Sequence, residues 1–172
     1  MADPKSGADL AIDFRNAMRR MASTVTIITA SDSGRHHGMT ATAVTSVSMD
    51  PPSLLVCLNN RSRLHDIIGN ANHFCVNVLH TEQAELSVAF SGAVPAEERF
   101  EKGAWQRTED GLGFLTDAQA NLFCQKVAAI PFGTHTIFIG QVVDVRLGEA
   151  VEPLIYQNAS YRVFSSAPPV SK

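Results

Sequence analysis

Few residues of this chain point directly to a familiar chemistry. Cysteine is scarce, with three in 172 residues, and Cys57, Cys75 and Cys124 form no C-x-x-C pair. That excludes a thioredoxin-type motif and leaves three thiols in apolar, strand-like runs, expected as buried free cysteines. Charged residues make up only 18% and the formal net charge is −3, so no basic field invites nucleic acid. No apolar run approaches the ~20 residues that span a bilayer, and the start, MADPKSGADLAIDF, lacks a signal peptide's apolar core. The expectation is a cytoplasmic protein with no membrane partner. No His, Cys, Asp or Glu cluster has metal-ligand spacing, so no metal is expected. There is no G-x-S-x-G elbow. The lone G-x-G, Gly111–Gly113, opens no strand–turn–helix unit, which argues against a Rossmann fold. Repeats, low-complexity tracts and linkers are missing too, and the length suits one domain with a real core. So little charge on a small domain suggests hidden surface, as in a homodimer.

What the chain does have is short β-branched runs between turn residues. Phe14, Ala17, Met18 and Met21 share one helical face over residues 12–22, opposite Arg15, Arg19 and Arg20. This predicts an amphipathic helix packed on the domain, behind a flexible leader over residues 1–11. TVTIITA at 24–30 reads as a strand, and SDSGRHHG at 31–38 as a turn with His36 and His37 solvated. GMTATAVTSVSM at 38–49 reads as the next strand, stopped by Pro51-Pro52. SLLVCLN at 53–59 is a buried strand. Ser62 caps a helix with Leu64, Ile67, Ile68 and Ala71 on one face. FCVNVL at 74–79 is a strand. Thr81 caps a helix that turns Leu86, Ala89 and Phe90 inward and ends at Gly92. Two long strands, about 120–130 and 135–147, meet through Pro131-Phe132-Gly133-Thr134, and a last one near 154–157 leads to Tyr161. Strands outnumber helices and are joined mainly by turns. That predicts a mainly β fold, an antiparallel barrel with a few peripheral helices.

The stretch 38–49 carries no charge, aromatic ring or proline. As a strand, one face would hold Thr40, Thr42, Val44, Ser46 and Ser48. A solvent-facing strand side normally carries Lys, Glu or Arg. Short side chains let a flat ligand approach the backbone, and hydroxyls both donate and accept hydrogen bonds. A ring system edged with C=O and N–H groups fits such a face; a plain solvated strand is the alternative. NNRSR at 59–63 places Ser62 and the free N–H groups of a helix start beside Arg61 and Arg63, where a phosphate would fit, although a capped, solvated helix start explains the same residues. Ser87 and Ser91 flank Phe90. His135 opens HTIFIGQVVDV, either facing a cleft at the barrel end or as an ordinary turn histidine.

Four stretches, in order, carry a resemblance over about residues 12–164: FRNAMRRMASTVTIITA, GMTATAVTSVSMDPPSLLVCLN, FCVNVL with the following S-x-x-F-S helix, and GTHTIFIGQVVDV with PLIYQNASYR. Together they resemble the flavin reductase-like family, whose fold is the FMN-binding split barrel, a Greek-key antiparallel barrel. The resemblance implies a domain over 12–166 and a C-terminal tail over 167–172. It implies Thr40, Ala41, Thr42, Ala43 and Val44 against a flavin ring, and Ser46 and Ser48 bonding the ring or its ribityl chain. Leu58, Asn59, Asn60 and Ser62 would hold the chain and phosphate, with Asn77, Ser87, Phe90 and Ser91 completing the pocket. His135 would sit near the nicotinamide as the catalytic-site histidine. Tyr156, Tyr161 and Arg162 would contact NADH or a partner subunit. The implied activity is NADH-dependent reduction of FMN or FAD in a homodimer, with electrons passed to an oxygenase partner or to a Co(II) corrinoid. A flavin-binding electron carrier or sensor without reductase activity is the alternative. One departure stands out: where many members have glycine, in a pattern like Y-x-x-G-x-Y, this chain has Ala159.

Overall fold

The computed structural model describes residues 6–163; the first part of the expected leader, the end of the expected domain and the 167–172 tail lie outside them. In chain order the elements are α1 (Gly7–Met18), β1 (Ser23–Thr24), β2 (Thr26–Asp32), β3 (Arg35–Ala41), β4 (Val44–Met49), β5 (Pro52–Asn59), α2 (Arg63–Asn70) and β6 (His73–Val78). There follow α3 (Ala84–Val88), β7 (Trp105–Arg107), β8 (Gly113–Leu115), β9 (Ala120–Phe132), β10 (His135–Leu147), β11 (Ile155–Gln157) and β12 (Ser160–Arg162). Seven strands form one antiparallel sheet in the order β3-β2-β6-β9-β10-β5-β4, flanked by a small β1-β11-β12 sheet and the β7-β8 hairpin.

The expected single strand over 38–49 is two strands. β3 pairs with β2, β4 pairs with β5, and they are the opposite edges of the seven-stranded sheet. Yet the chain passes from one edge to the other through Thr42-Ala43 alone. Laid flat, seven strands would separate the edges by about 29 Å. Ala41 to Val44 reaches at most about 11 Å. The sheet must therefore roll until its edges meet; the Cys57 N–H donates to the Ala43 carbonyl at 3.0 Å and carries the β4–β5 ladder one residue into the crossing. This produces the antiparallel barrel, and it puts the uncharged stretch at the seam.

Inside the barrel, α2 presents Leu64, Ile67 and Ile68 to a core that includes Leu58, Phe74 and Phe138. A second core joins Ile27, Leu79, Leu86, Ala89, Phe90 and Leu115. Two glycines are required by close approach. A Cβ on Gly38 would lie 2.6 Å from the Phe90 ring, and one on Gly140 would lie 2.5 Å from the Phe74 ring.

The helices differ from expectation in instructive ways. α1 begins at Gly7 and ends at Met18, and none of its residues is buried; Leu10, Phe14 and Met18 are all exposed. Its apolar face therefore has no barrel wall beneath it in the single chain. The helix expected to start at Thr81 is capped by His80, whose Nδ1 accepts the Glu82 N–H at 3.3 Å while its own N–H donates to Gln83 Oε1 at 2.8 Å. It passes through a short 3₁₀ turn into α3 and then a wide turn over Ala89–Ala93, in which Gly92 takes φ +116°. The Pro51-Pro52 pair does not end the ladder: Met49 pairs with Pro52, and Asp50-Pro51 form the tip of the β4–β5 hairpin. Among the thiols, Cys75 and Cys124 are buried, as expected, and burial pushes the Cys124 thiol up to about 12; Cys57 is only half-buried.

Candidate functional site

A cleft of about 620 Å³ opens along the seam. Thr42, Ser46 and Ser48 line it from the crossing and β4, and Ser23, Thr24 and Thr26 from β1 and β2. Its floor is apolar, made by Leu54, Val76, Leu122 and Val142. No lining residue is charged, and the hydroxyls of Thr42 and Ser46 are exposed with no intramolecular partner among the described residues. A β-bulge between Ser46 and Ser48 shifts the β4 register. Past the bulge Ser48 shares a face with Thr45, and Met49 shares one with Ser46; Thr45 and Met49, expected on the opposite face, both line the cleft. Val44 lines it too, while Ala41 and Ala43 lie beside it at the seam.

A second hollow, about 350 Å³, lies at the N-terminus of α2. Ser62 caps this helix, its Oγ accepting the His65 N–H at 3.2 Å, and lines the hollow with Arg63, Ser91, Arg99 and His37. Helix N–H groups and two guanidiniums give this hollow the donors an anion would need. Arg99 is held in place by donating Nε to the Val94 carbonyl and Nη1 to the Gly38 carbonyl. Arg63 pairs with Glu97 at 3.4 Å; the Glu97 carboxyl lies below the usual range because of its own backbone N–H first and Arg63 second.

Several expected site residues are spent inside the fold. Leu58 is fully buried in the core. Asn77 is fully buried and uses both ends of its amide: Oδ1 accepts from the Leu115 N–H and Asn121 Nδ2, and Nδ2 donates to the Ile27 carbonyl. Its strand position puts the side chain among β2, β8 and β9, so that it ties the β7–β8 hairpin to the seven-stranded sheet. Ser87 is buried; its Oγ accepts from the Tyr161 hydroxyl at 2.9 Å and its carbonyl from Thr40 Oγ1 at 2.7 Å. Thr40, Ser87 and Tyr161 thus clamp β3 and the C-terminal hairpin onto α3. Phe90 is buried against Phe100 and Trp105, with its ring also reaching the second hollow. Asn59 Oδ1 accepts the Arg61 N–H, and Asn60 bridges Gly133 and Thr136 at the β9–β10 tip. Because Thr136 Oγ1 donates to Asn60, the 2.8 Å contact from His65 Nε2 to Thr136 carries the imidazole proton.

His135 stands exposed at that tip, paired across from Asn59, with Nδ1 2.9 Å from Thr134 Oγ1; it lines neither hollow. Tyr156 packs edge-on against Tyr161, and Arg162 is exposed on β12. Asn158 and Ala159 form the β11–β12 turn with φ of +49° and +59°, so Ala159 does take the left-handed conformation that glycine would favour.

His37, expected in solvent, is the site residue that sequence reasoning missed, together with Arg99. The hairpin turn is only Ser33-Gly34, both at positive φ, so β3 starts at Arg35 and His37 points inward. The Ser-Gly pair was the available signal. His37 is 6% exposed, and burial, then Arg99 and Arg63, push its imidazole down to about 4. It is neutral at physiological pH and able to donate and accept.

The family model for the flavin reductase like domain matches residues 18–165. The chain is 55% identical over 157 residues to the FADH(2)-dependent resorcinol hydroxylase reductase component of Rhizobium sp. strain MTP-10005, covering 90% of this chain and 88% of that one. It is 39% identical over 161 residues to the FMN reductase (NADH) RutF of Agrobacterium fabrum strain C58, covering 94% and 92%. The structure of the Streptomyces globisporus C-1027 NADH:FAD oxidoreductase SgcE6 with NAD and FAD fragments superposes with a TM-score of 0.85 at 27% identity, covering 95% of this chain and 98% of that one.

Proposed function

The chain belongs to the flavin reductase-like family, and from this premise we propose that it is an NADH-dependent flavin reductase whose flavin ring lies along the β3–β4 seam. The observation that carries this reading is the uncharged cleft, lined by hydroxyls and apolar side chains, where the chain crosses between the sheet edges. The donor set fits a flavin. Thr42, Ser46 and Ser48 offer hydroxyls to a ring edged with carbonyls and N–H groups, and Ser62, Ser91, Arg63 and Arg99 offer a cradle to a phosphate.

A bound flavin supplies the redox chemistry by taking a hydride from NADH. The chain's residues bind and orient. The small side chains of 41–44 let a flat ring approach the backbone. Hydroxyls of Thr42, in the two-residue crossing, and of Ser46, on β4, would stabilise negative charge at the carbonyl edge of a bound ring. The apolar floor excludes water from beneath it. His135, exposed beside the end of β5, is the candidate for orienting the nicotinamide. Electrons pass as reduced flavin to an oxygenase partner; the Rhizobium relative is named the reductase component of an FADH(2)-dependent resorcinol hydroxylase.

A homodimer completes this reading. Met49, Phe132 and Leu147 are 85%, 82% and 79% exposed, and the apolar face of α1 is bare, a combination that a second copy would cover.

The test follows absorbance at 340 nm with NADH and FMN, FAD or no added flavin. Flavin-dependent NADH loss supports the reading, and Thr42→Val with Ser46→Ala should weaken flavin binding and slow turnover. Flavin binding without NADH loss would make the chain a carrier or sensor. Anaerobic Co(I) formation from a Co(II) corrinoid, beyond that given by free reduced flavin, would assign the corrinoid as acceptor.

A further inference from the structure

The β9–β10 tip that carries His135 is a two-residue turn, Gly133-Thr134, with both residues exposed. A two-residue turn is the commonest hairpin connection and needs no other element to close it. Yet the side chains of His65, Thr136 and Asn60 tie this one to α2. His65 Nε2 donates to Thr136 Oγ1 at 2.8 Å, and Thr136 Oγ1 donates to Asn60 Oδ1 at 3.0 Å. Asn60 then grips the turn twice. Its backbone N–H donates to the Thr134 carbonyl at 3.0 Å, and its Nδ2 donates to the Gly133 carbonyl at 3.4 Å. His135 is the next residue along.

The chain of bonds has one direction. Asn60 Nδ2 faces a carbonyl, so Oδ1 faces Thr136 and can only accept; the threonine gives its one proton to Asn60 and so accepts from His65. The origin of the chain is rigid. His65 lies in the first turn of α2, its own N–H donates to Ser62 Oγ at 3.2 Å, and its ring packs edge-on against Phe138 of β10 with centroids 5.4 Å apart. Ser62 and Arg63, at the head of the same turn, line the second hollow. One helix turn is thus the reference for both the anion-suited hollow and the His135 tip. His135 itself is exposed, and its one side-chain hydrogen bond among the described residues is to Thr134 Oγ1, in the turn being held. A group that orients a reacting ring has to be held within about 0.5 Å, so the position of His135 depends on what fixes that turn.

We propose that His65 is a positioning residue for hydride transfer: through Thr136 and Asn60 it holds the Gly133-Thr134 turn and so sets where His135 meets the nicotinamide. The proposal rests on the flavin reductase reading and deepens its NADH side.

The test is steady-state kinetics with NADH and saturating FMN on wild type, on His65→Phe, which keeps a ring against Phe138 and removes the donor, and on His65→Gln, whose amide restores a donor. Thermal melts show that each folds. His65→Phe should raise the KM for NADH about two- to fivefold with kcat and FMN Kd little changed, and His65→Gln should recover most of the loss. Added to His135→Ala, His65→Phe should raise KM no further, since a residue that acts through His135 loses its effect when His135 is gone. Thr136→Val removes the middle link and should reproduce the effect; it carries the comparison if His65→Phe does not fold. Amide hydrogen exchange of the flavin-free protein gives a readout independent of turnover: the Asn60 N–H, bonded to the Thr134 carbonyl, should exchange faster in His65→Phe. An unchanged KM in the folded variants, whether or not Tm falls, overturns the proposal. So does an equal loss in His65→Gln, an effect undiminished in the His135→Ala background, or an unchanged Asn60 exchange rate. Wild type that fails to oxidise NADH with FMN refutes the flavin reductase reading itself and is read before any variant.

Discussion

Replacing Asn77 with alanine should cost stability rather than flavin affinity. Its Oδ1 accepts from the Leu115 N–H and from Asn121 Nδ2, each at 2.9 Å, and its Nδ2 donates to the Ile27 carbonyl at 2.8 Å and reaches Thr29 Oγ1 at 3.4 Å. Every partner is buried. Alanine would orphan the Leu115 N–H outright. The Asn121 amide would keep its bond to the Leu115 carbonyl. Each stranded buried group costs about 1–3 kcal/mol, so the whole loss is about 3–5 kcal/mol, a large share of a typical domain's stability. At this chain length that lowers Tm by about 10 °C. Urea unfolding followed by the fluorescence of Trp105, which packs on Phe90 and Phe100, reads the loss directly. FMN titration of the folded fraction reads affinity. A loss under about 1 kcal/mol, or an unchanged Tm with about tenfold weaker FMN binding, would refute the reasoning and return Asn77 to the flavin site.

Three further outcomes follow from the same geometry. His37 titrates near 6.5 when unfolded and at about 4 when folded, so between these values the unfolded chain binds the extra proton and stability rises with pH. The contribution, about 3 kcal/mol, is complete above pH ~6.5 and lost as pH falls to ~4; urea unfolding at several pH values should show this slope, flattened in His37→Gln. Ala159→Gly should stabilise the protein by about 1 kcal/mol, because φ of +59° strains an alanine but not a glycine; a lower Tm would contradict this. His135→Ala should raise the KM for NADH about three- to tenfold with little change in FMN Kd, and unchanged NADH dependence would remove His135 from the site.

Local chemistry already carried most of the element list. Ser62 before Leu64, Ile67 and Ile68 specifies α2, and the β-branched runs specify β2, β5, β6, β9 and β10, since period, caps and turn residues act over a few positions. The hydroxyl-rich, uncharged character of 38–49 was legible as well, and with it the family. What a one-dimensional reading does not contain is which way a side chain faces once strands roll. Asn77 and Ser87 look like ligands in sequence and are buried with their side chains bonded inside the fold: Asn77 to backbone groups of neighbouring strands, and Ser87, on α3, to the Tyr161 hydroxyl. His37 looks like a turn residue and is buried, because two residues rather than eight make the turn. The break at Thr42-Ala43 has no local cause in propensity; it exists because the chain must jump between sheet edges that only closure brings together. The sequence by itself determined the elements and the kind of surface at the seam. Tertiary structure alone decided which residues line it, because that depends on closure and register, which are set by long-range pairing rather than by neighbours in the chain.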